Sequence, residues 1–95
     1  MHIITRKRLN EFAEKYPDAK SALQHWYKQA KTTDFKSFAE LRKTFGSADQ
    51  VGNLTVFNIG GNKVRLMAAI HYNRRTIYIR AVLTHREYDE GKWKE

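Results

Sequence analysis

The period of the hydrophobic pattern changes once along this chain, near Asn53, and that change limits the folds available to it. Before Asn53, apolar residues recur at helical spacing; after it, they alternate with a period of two. Helices followed by strands fit one α+β domain, with an antiparallel sheet carrying helices on one face. Ninety-five residues are enough for a single domain spanning 1–95. A hydrophobic share of 41% suits a small core and argues against a disordered tail.

The first half reads as strand, helix, helix, short helix. His2 to Thr5 is β-branched and short, a candidate first strand. Thr5 is positioned to cap a helix over Arg6–Lys15, with Leu9, Phe12 and Ala13 on its apolar face. Pro17 breaks that helix and suits the first turn of the next, where its missing N–H costs nothing. The second helix is expected from Asp18 to about Lys31, with Ala19, Ala22, Leu23, Trp26, Tyr27 and Ala30 as its buried stripe, and the two helices form a hairpin. Asp34 is expected to cap a third helix beginning at Phe35.

The second half reads as a meander. Leu54–Ile59 is a strand, Gly60–Gly61 a two-residue turn, and Lys63–His71 the next strand. Asn73–Arg74 offers another turn, and Thr76–Leu83 is the last strand. Alternation predicts Val64, Leu66, Ala68 and Ile70 toward the helices, together with Ile77, Ile79, Ala81 and Leu83. Arg65, Arg80, Tyr78 and Val82 are then expected on the open face, because unpaired arginines under the helices would be prohibitive.

Charge points to the partner. The net charge is +8, which suggests nucleic acid, an acidic protein or a membrane surface. No apolar run approaches the roughly 18–20 residues that span a bilayer, and the N-terminus lacks the longer apolar core of a secretory signal. There is no cysteine, which excludes disulfides and thiolate chemistry and fits a cytoplasmic protein. The four histidines are scattered, so neither a metal site nor a cofactor is expected. From Lys63 to Arg86 there are six cationic side chains and no carboxylate. A sheet with its cations segregated in this way reads as a surface for a polyanion.

Candidate chemistry follows from residue type and place. Arg65 is central to its strand and has the fixed fork that suits phosphate; the alternative is pairing with Glu87 or Asp89. Arg80 on the neighbouring strand has the same two readings. His85, Arg86 and Tyr88 follow the last strand directly. Histidine suits proton transfer, and tyrosine suits phosphate binding or base stacking. The bland reading is a C-terminal turn packed back on the sheet. Lys63, Arg74 and Arg75 are candidate RNA contacts, as is Lys92 in a short basic-aromatic tail; His71 and Asn73 read as part of a solvated basic tip.

NIGGNKVRLMAAIHYNRRTIYIRAVLTHREYDEGKW, preceded by ADQVGNLTVF, resembles the HigB family of bacterial toxins, as does the opening ITRKRLNEFAEKYPDAKSAL. HigB toxins are similar to the wider RelE/ParE superfamily. The resemblance covers essentially the whole chain. It implies a RelE-like toxin that cuts mRNA, commonly in the ribosomal A site, neutralised by a HigA-type helix-turn-helix antitoxin. The antitoxin alone would carry operator DNA. In RelE-like nucleases an arginine on a central strand contacts the scissile phosphate, and Arg65 matches that place. A basic residue with a nearby tyrosine after the last strand completes the site. His85 and Tyr88 match in kind, although their spacing of three differs from relatives with adjacent His-Tyr. The lysines or glutamate that such sites draw from the preceding strand have no counterpart in Leu54–Ile59, which leaves Lys63 or Lys92 as substitutes. Two other readings remain at this level: a non-catalytic gyrase poison of the ParE type, against which LTHREY argues, and an RNA-binding module without catalysis.

Overall fold

The computed structural model of the chain describes residues 1–61 and 63–91. The chain opens with β1 (His2–Ile4) and α1 (Arg6–Lys15). A 3-10 turn at Pro17–Ala19 leads into α2 (Lys20–Thr32), and α3 (Phe38–Thr44) follows. Then come β2 (Asp49–Val51), β3 (Leu54–Ile59), β4 (Val64–His71), β5 (Thr76–Thr84) and a short α4 (His85–Asp89). The sheet order is β1-β5-β4-β3-β2. Strands β3 to β5 pair antiparallel, as expected, and β2 pairs antiparallel with β3; β1 adds to β5 in parallel, so the sheet as a whole is mixed.

Helices α1, α2 and α3 cover one face of the sheet. Leu9 and Phe12 of α1, Leu23, Trp26 and Ala30 of α2, and Leu41 of α3 form one core with Phe57, Leu66, Ile77 and Ile79 of the sheet. Leu23, Leu41, Leu66 and Ile77 are completely buried. Burial of a side chain of that size contributes roughly 1.5–3 kcal/mol, which exceeds any local propensity in helices this short. Trp26 and Phe57 meet edge to face, with ring centroids 5.2 Å apart, and join α2 to the sheet.

Several helix boundaries are set differently from the sequence expectation. Thr5 does not cap α1 through its side chain: it takes the left-handed conformation, φ 72°, and turns the chain directly from β1 into the helix. A residue in that conformation is outside the extended geometry from which a cap oxygen reaches the first turn. Asp34 is diverted too. Its carboxylate faces the Met1 amino group at 3.2 Å and Arg75 at 3.9 Å, and Ser37 caps α3 by accepting from the Glu40 amide at 3.2 Å. The Met1 amino group also donates to the carbonyls of Ala30, Lys31 and Thr33. These acceptors lie at the end of α2, where backbone carbonyls lack intrahelical partners.

The turn after β3 is longer than two residues. Ile59 pairs with Val64, so the loop is 60–63, with Gly60 and Gly61 both at positive φ. β2 is an additional strand, formed because Gly52, φ 59°, turns the chain so that Val51 can pair with Leu54.

A bulge reassigns the end of β5. Ala68 pairs with Ile79 but Met67 pairs with Ala81, so β5 carries one extra residue, Arg80. Ile77, Ile79 and Val82 all pack on the helix-side core. Alternation on each side of the bulge therefore puts Tyr78, Arg80, Ala81 and Leu83 on the opposite, outer face. The expectation that Ala81 and Leu83 face the helices, with Val82 outward, fails because the extra residue inverts the parity of everything after it.

The left-handed Thr5 gives a stability prediction. A β-branched residue is strained there, whereas asparagine tolerates that region. Thr5→Asn should raise unfolding free energy by roughly 0.5–1 kcal/mol, the part of the left-handed penalty that asparagine relieves. Urea denaturation of the two proteins at equal m-value checks it.

Candidate active site

Strand β4 is the middle of the sheet and is buried from Val64 to Ala68. Val64, Leu66 and Ala68 belong to the helix-side core, so Arg65 and Met67 point to the outer face. That face is less open at Arg65 than alternation suggested, because the residue retains only 9% of its accessible surface. The Tyr88 ring lies over the guanidinium, 5.7 Å from carbon to ring centroid. This is within the range of a cation–π contact. The cation is held in place with its fork already oriented.

Tyr88 arrives there because α4 starts as soon as β5 ends. Thr84 accepts from the Glu87 amide at 3.1 Å, and the Glu87 carboxylate accepts from the Thr84 amide at 3.0 Å. This reciprocal capping box fixes where strand becomes helix. A five-residue helix has no stability of its own, so the cap and the contact with the sheet define it. The segment that the blander reading made a C-terminal turn is thus a helix, and the T-x-x-E spacing of Thr84 and Glu87 is its sequence signature.

Antiparallel register brings the remaining group to the same end. Val64 pairs with Thr84, and the His85 amide donates to the Lys63 carbonyl at 3.1 Å. His85 therefore starts α4 beside the beginning of β4, although it follows Arg65 by 20 positions. Its Nε2 lies 3.4 Å from Asp89 Oδ2, one helical turn on, and about half of the side chain is exposed. Asp89 is a partner the sequence reading did not assign to His85; the i, i+4 spacing on a helix is the signal. The arrangement offers a cation held under an aromatic ring on the outer face and, where α4 starts at the same end of the sheet, an imidazole beside a carboxylate.

The other predicted cations divide by position. Lys63 is exposed, immediately before β4, and rims a cleft of about 500 Å³ that Phe12, Tyr16 and Ala22 line from the helix side. Arg86 extends into solvent beside Glu90, 3.5 Å away. Arg80 is exposed at the bulge, midway along the outer face. Arg74 and Arg75 are exposed at the far end of the β4–β5 hairpin. The length of β4, roughly 23 Å at 3.3 Å per residue, separates them from Lys63. Arg75 is partly engaged by Asp34. Lys92 lies outside the described residues.

A family model for HigB toxins, the RelE-like toxic component of a toxin–antitoxin system, matches residues 19–91. The chain belongs to the HigB toxin family. It is 40% identical over 92 residues to the mRNA interferase toxin HigB of Escherichia coli K12, covering 94% of this chain and 88% of that protein. The mRNA interferase HigB of Shigella flexneri matches to the same extent. The mRNA interferase HigB of Escherichia coli O6:H1 is 33% identical, over 95% of this chain and 90% of its own. A RelE-like toxin of a toxin–antitoxin system has an antitoxin as its partner. Among the described residues, no helix is long and apolar enough to cross a membrane.

The cap yields a prediction about this protein. Thr84→Ala removes an N-cap worth ~1 kcal/mol without touching His85, Arg65 or Tyr88. Amide exchange in α4 should quicken while the β4 amides stay protected, and Thr84→Ser should restore the parental pattern. Hydrogen exchange resolved by residue measures both.

Proposed function

We propose that this protein is a ribosome-dependent mRNA endonuclease that inhibits translation in the cytoplasm and is neutralised by a HigA-type antitoxin. The observation that carries the reading is the placement of the buried Arg65 guanidinium under Tyr88, at the end of the sheet where His85 begins α4. Supporting it, relatives 33–40% identical over nearly the whole chain are mRNA interferases.

The reaction needs no metal or cofactor in this reading. The 2′-hydroxyl of one nucleotide gives up its proton and attacks the adjacent phosphorus. The 5′-oxygen of the next nucleotide leaves and takes a proton. Charge accumulates on the phosphate oxygens between those events, and a guanidinium fixed in advance stabilises it without reorganisation. Arg65 fills that role. His85 transfers a proton, positioned by Asp89. Tyr88 holds the Arg65 fork and presents its ring to the substrate. The immediate products are a 2′,3′-cyclic phosphate and a 5′-hydroxyl, and addition of water across the cyclic ester gives the 3′-phosphate. Lys63, Arg74, Arg75, Arg80, Arg86 and Lys92 supply sequence-independent attraction to ribosomal and messenger RNA. The same basic surface favours acidic segments on the antitoxin and speeds the encounter with it.

Mapping mRNA 5′ ends after incubation with translating ribosomes tests the reading. New ends with 5′-hydroxyls are expected. Intact mRNA with stalled DNA supercoiling would replace it with a gyrase poison, and intact mRNA with RNA binding alone would leave a binding module.

Replacing His85 with alanine should slow single-turnover cleavage by roughly 10²–10⁴, the scale of a lost general acid–base group. Arg65→Ala should lose a comparable factor, roughly 10²–10³, through phosphate charge. His85 is half exposed, so its variant should keep the parental circular dichroism and melting temperature. A folded His85→Ala protein that cuts at the parental rate would assign proton transfer elsewhere.

The hairpin tip makes a separate prediction. Arg74→Ala with Arg75→Ala should weaken ribosome binding and flatten its salt dependence, each lost phosphate contact lowering the slope by roughly 0.7–0.9. Affinity measured across a potassium series decides it. An unchanged slope in a folded double variant would take the tip off the RNA surface.

A further inference from the structure

The outer face continues beyond Arg65 past Met67 and Val56, which are buried there. On β3 to β5 its positions include Arg65, Arg80, His71 and Tyr78, and no carboxylate. Tyr78 is half-buried, His71 is exposed, and their rings meet edge to face with centroids 5.1 Å apart. A T-shaped pair engages one ring face and one ring edge. The partial exposure of both rings leaves aromatic surface available to a third ring. Tyr78 pairs in register with Ala69, four residues from Arg65 along β4. That separation is roughly 13 Å, more than one nucleotide step. Exposed Arg80 lies on the same face between them, placed there by the bulge.

A cation at the candidate cleavage point, a second cation midway and an aromatic pair beyond it have the order of a single-stranded nucleic-acid track. Such tracks alternate phosphate contacts with rings on which bases stack. An acidic protein segment would meet the same cations; the exposed aromatic pair, set beyond them by more than one nucleotide step, is what favours a strand with bases to stack.

We propose that Tyr78, braced by His71, stacks on a base of the same mRNA strand whose cleaved phosphate lies at Arg65, with Arg80 holding an intervening phosphate. The inference rests on the mRNA-cleavage reading and adds a second, non-reacting nucleotide site to it. Tyr78 is a positioning residue: it sets where the strand lies, and it touches no reacting atom.

The test uses the whole protein on ribosomes programmed with short mRNAs. In each mRNA a single abasic nucleotide occupies one position near the cleaved bond, and single-turnover cleavage is followed against toxin concentration. At one position, away from the cleaved bond, loss of the base should raise the half-saturating concentration roughly ten-fold, the scale of one stacked base, and leave the saturating rate unchanged. Tyr78→Ala should produce the same shift on intact mRNA and add nothing on that abasic mRNA. Tyr78→Phe should behave as the parent. The proposal is overturned if no position responds, or if the Tyr78→Ala and abasic effects multiply. It is also overturned if Tyr78→Ala weakens only antitoxin binding. Should Tyr78→Ala fail to fold, the position scan with the parental protein still decides. Absence of cleavage by the parental protein on every mRNA overturns the nuclease reading and this inference together. Normal cleavage without a stacking position overturns the inference alone.

Discussion

The arrangement turns on a charged side chain in the strand least able to hold one. β4 has neighbours on both edges and is buried on both faces from Val64 to Ala68. A guanidinium there loses most of its water, and burying a charge is costly unless other groups replace that hydration. Tyr88 contributes an aromatic face, and the Val64 carbonyl makes a long contact of 3.5 Å. The benefit is geometric. An arginine confined between strand and ring cannot relax toward solvent, so its donors point where the fold aims them. In that setting a phosphate arriving at Arg65 meets a field already in place.

That requirement explains why the chain does not stop at β5. The aromatic partner has to come from somewhere, and α4 supplies it within four residues of the strand's end. The capping box of Thr84 and Glu87 makes the change from strand to helix abrupt. One local device thereby orients Tyr88 over Arg65 and starts His85 beside Lys63. The helix is too short to persist without the sheet. Local order and the candidate chemistry are therefore coupled at this end of the molecule.

What the sequence disclosed depended on the range over which each feature is decided. Leu54–Ile59 and Arg6–Lys15 were readable to the residue, because period and breakers act locally. The sequence favours Asp34 as the α3 cap, but Met1 and Arg75, which only the tertiary fold brings to that carboxylate, draw it away. Ser37-x-x-Glu40 and Thr84-x-x-Glu87 are local patterns that mark both helix starts in the sequence. Arg65, His85 and Tyr88 could be nominated from their chemistry. Their spatial relation depended on which β4 residue pairs with Thr84, which no single strand reveals.

The bulge shows the same limit with a larger consequence. Strict alternation sends Val82 outward and Leu83 inward. A single inserted residue reverses both and keeps Ile77, Ile79 and Val82 in one core. Nothing in IYIRAVLT marks the insertion, because either parity offers an apolar set. The core decides. With Arg80 as the extra residue, the arginine stays exposed and Val82 fills the space against α1 and its neighbours. Regular pairing would instead have packed Ala81 and Leu83 there and left Val82 outside. The side effect is functional geometry. Arg80 and Ala81 both face outward, so the strand carries its charge midway between Tyr78 and the Arg65 end and leaves a small side chain beside it. A packing solution on one face of the sheet has thus fixed the spacing of cations on the other.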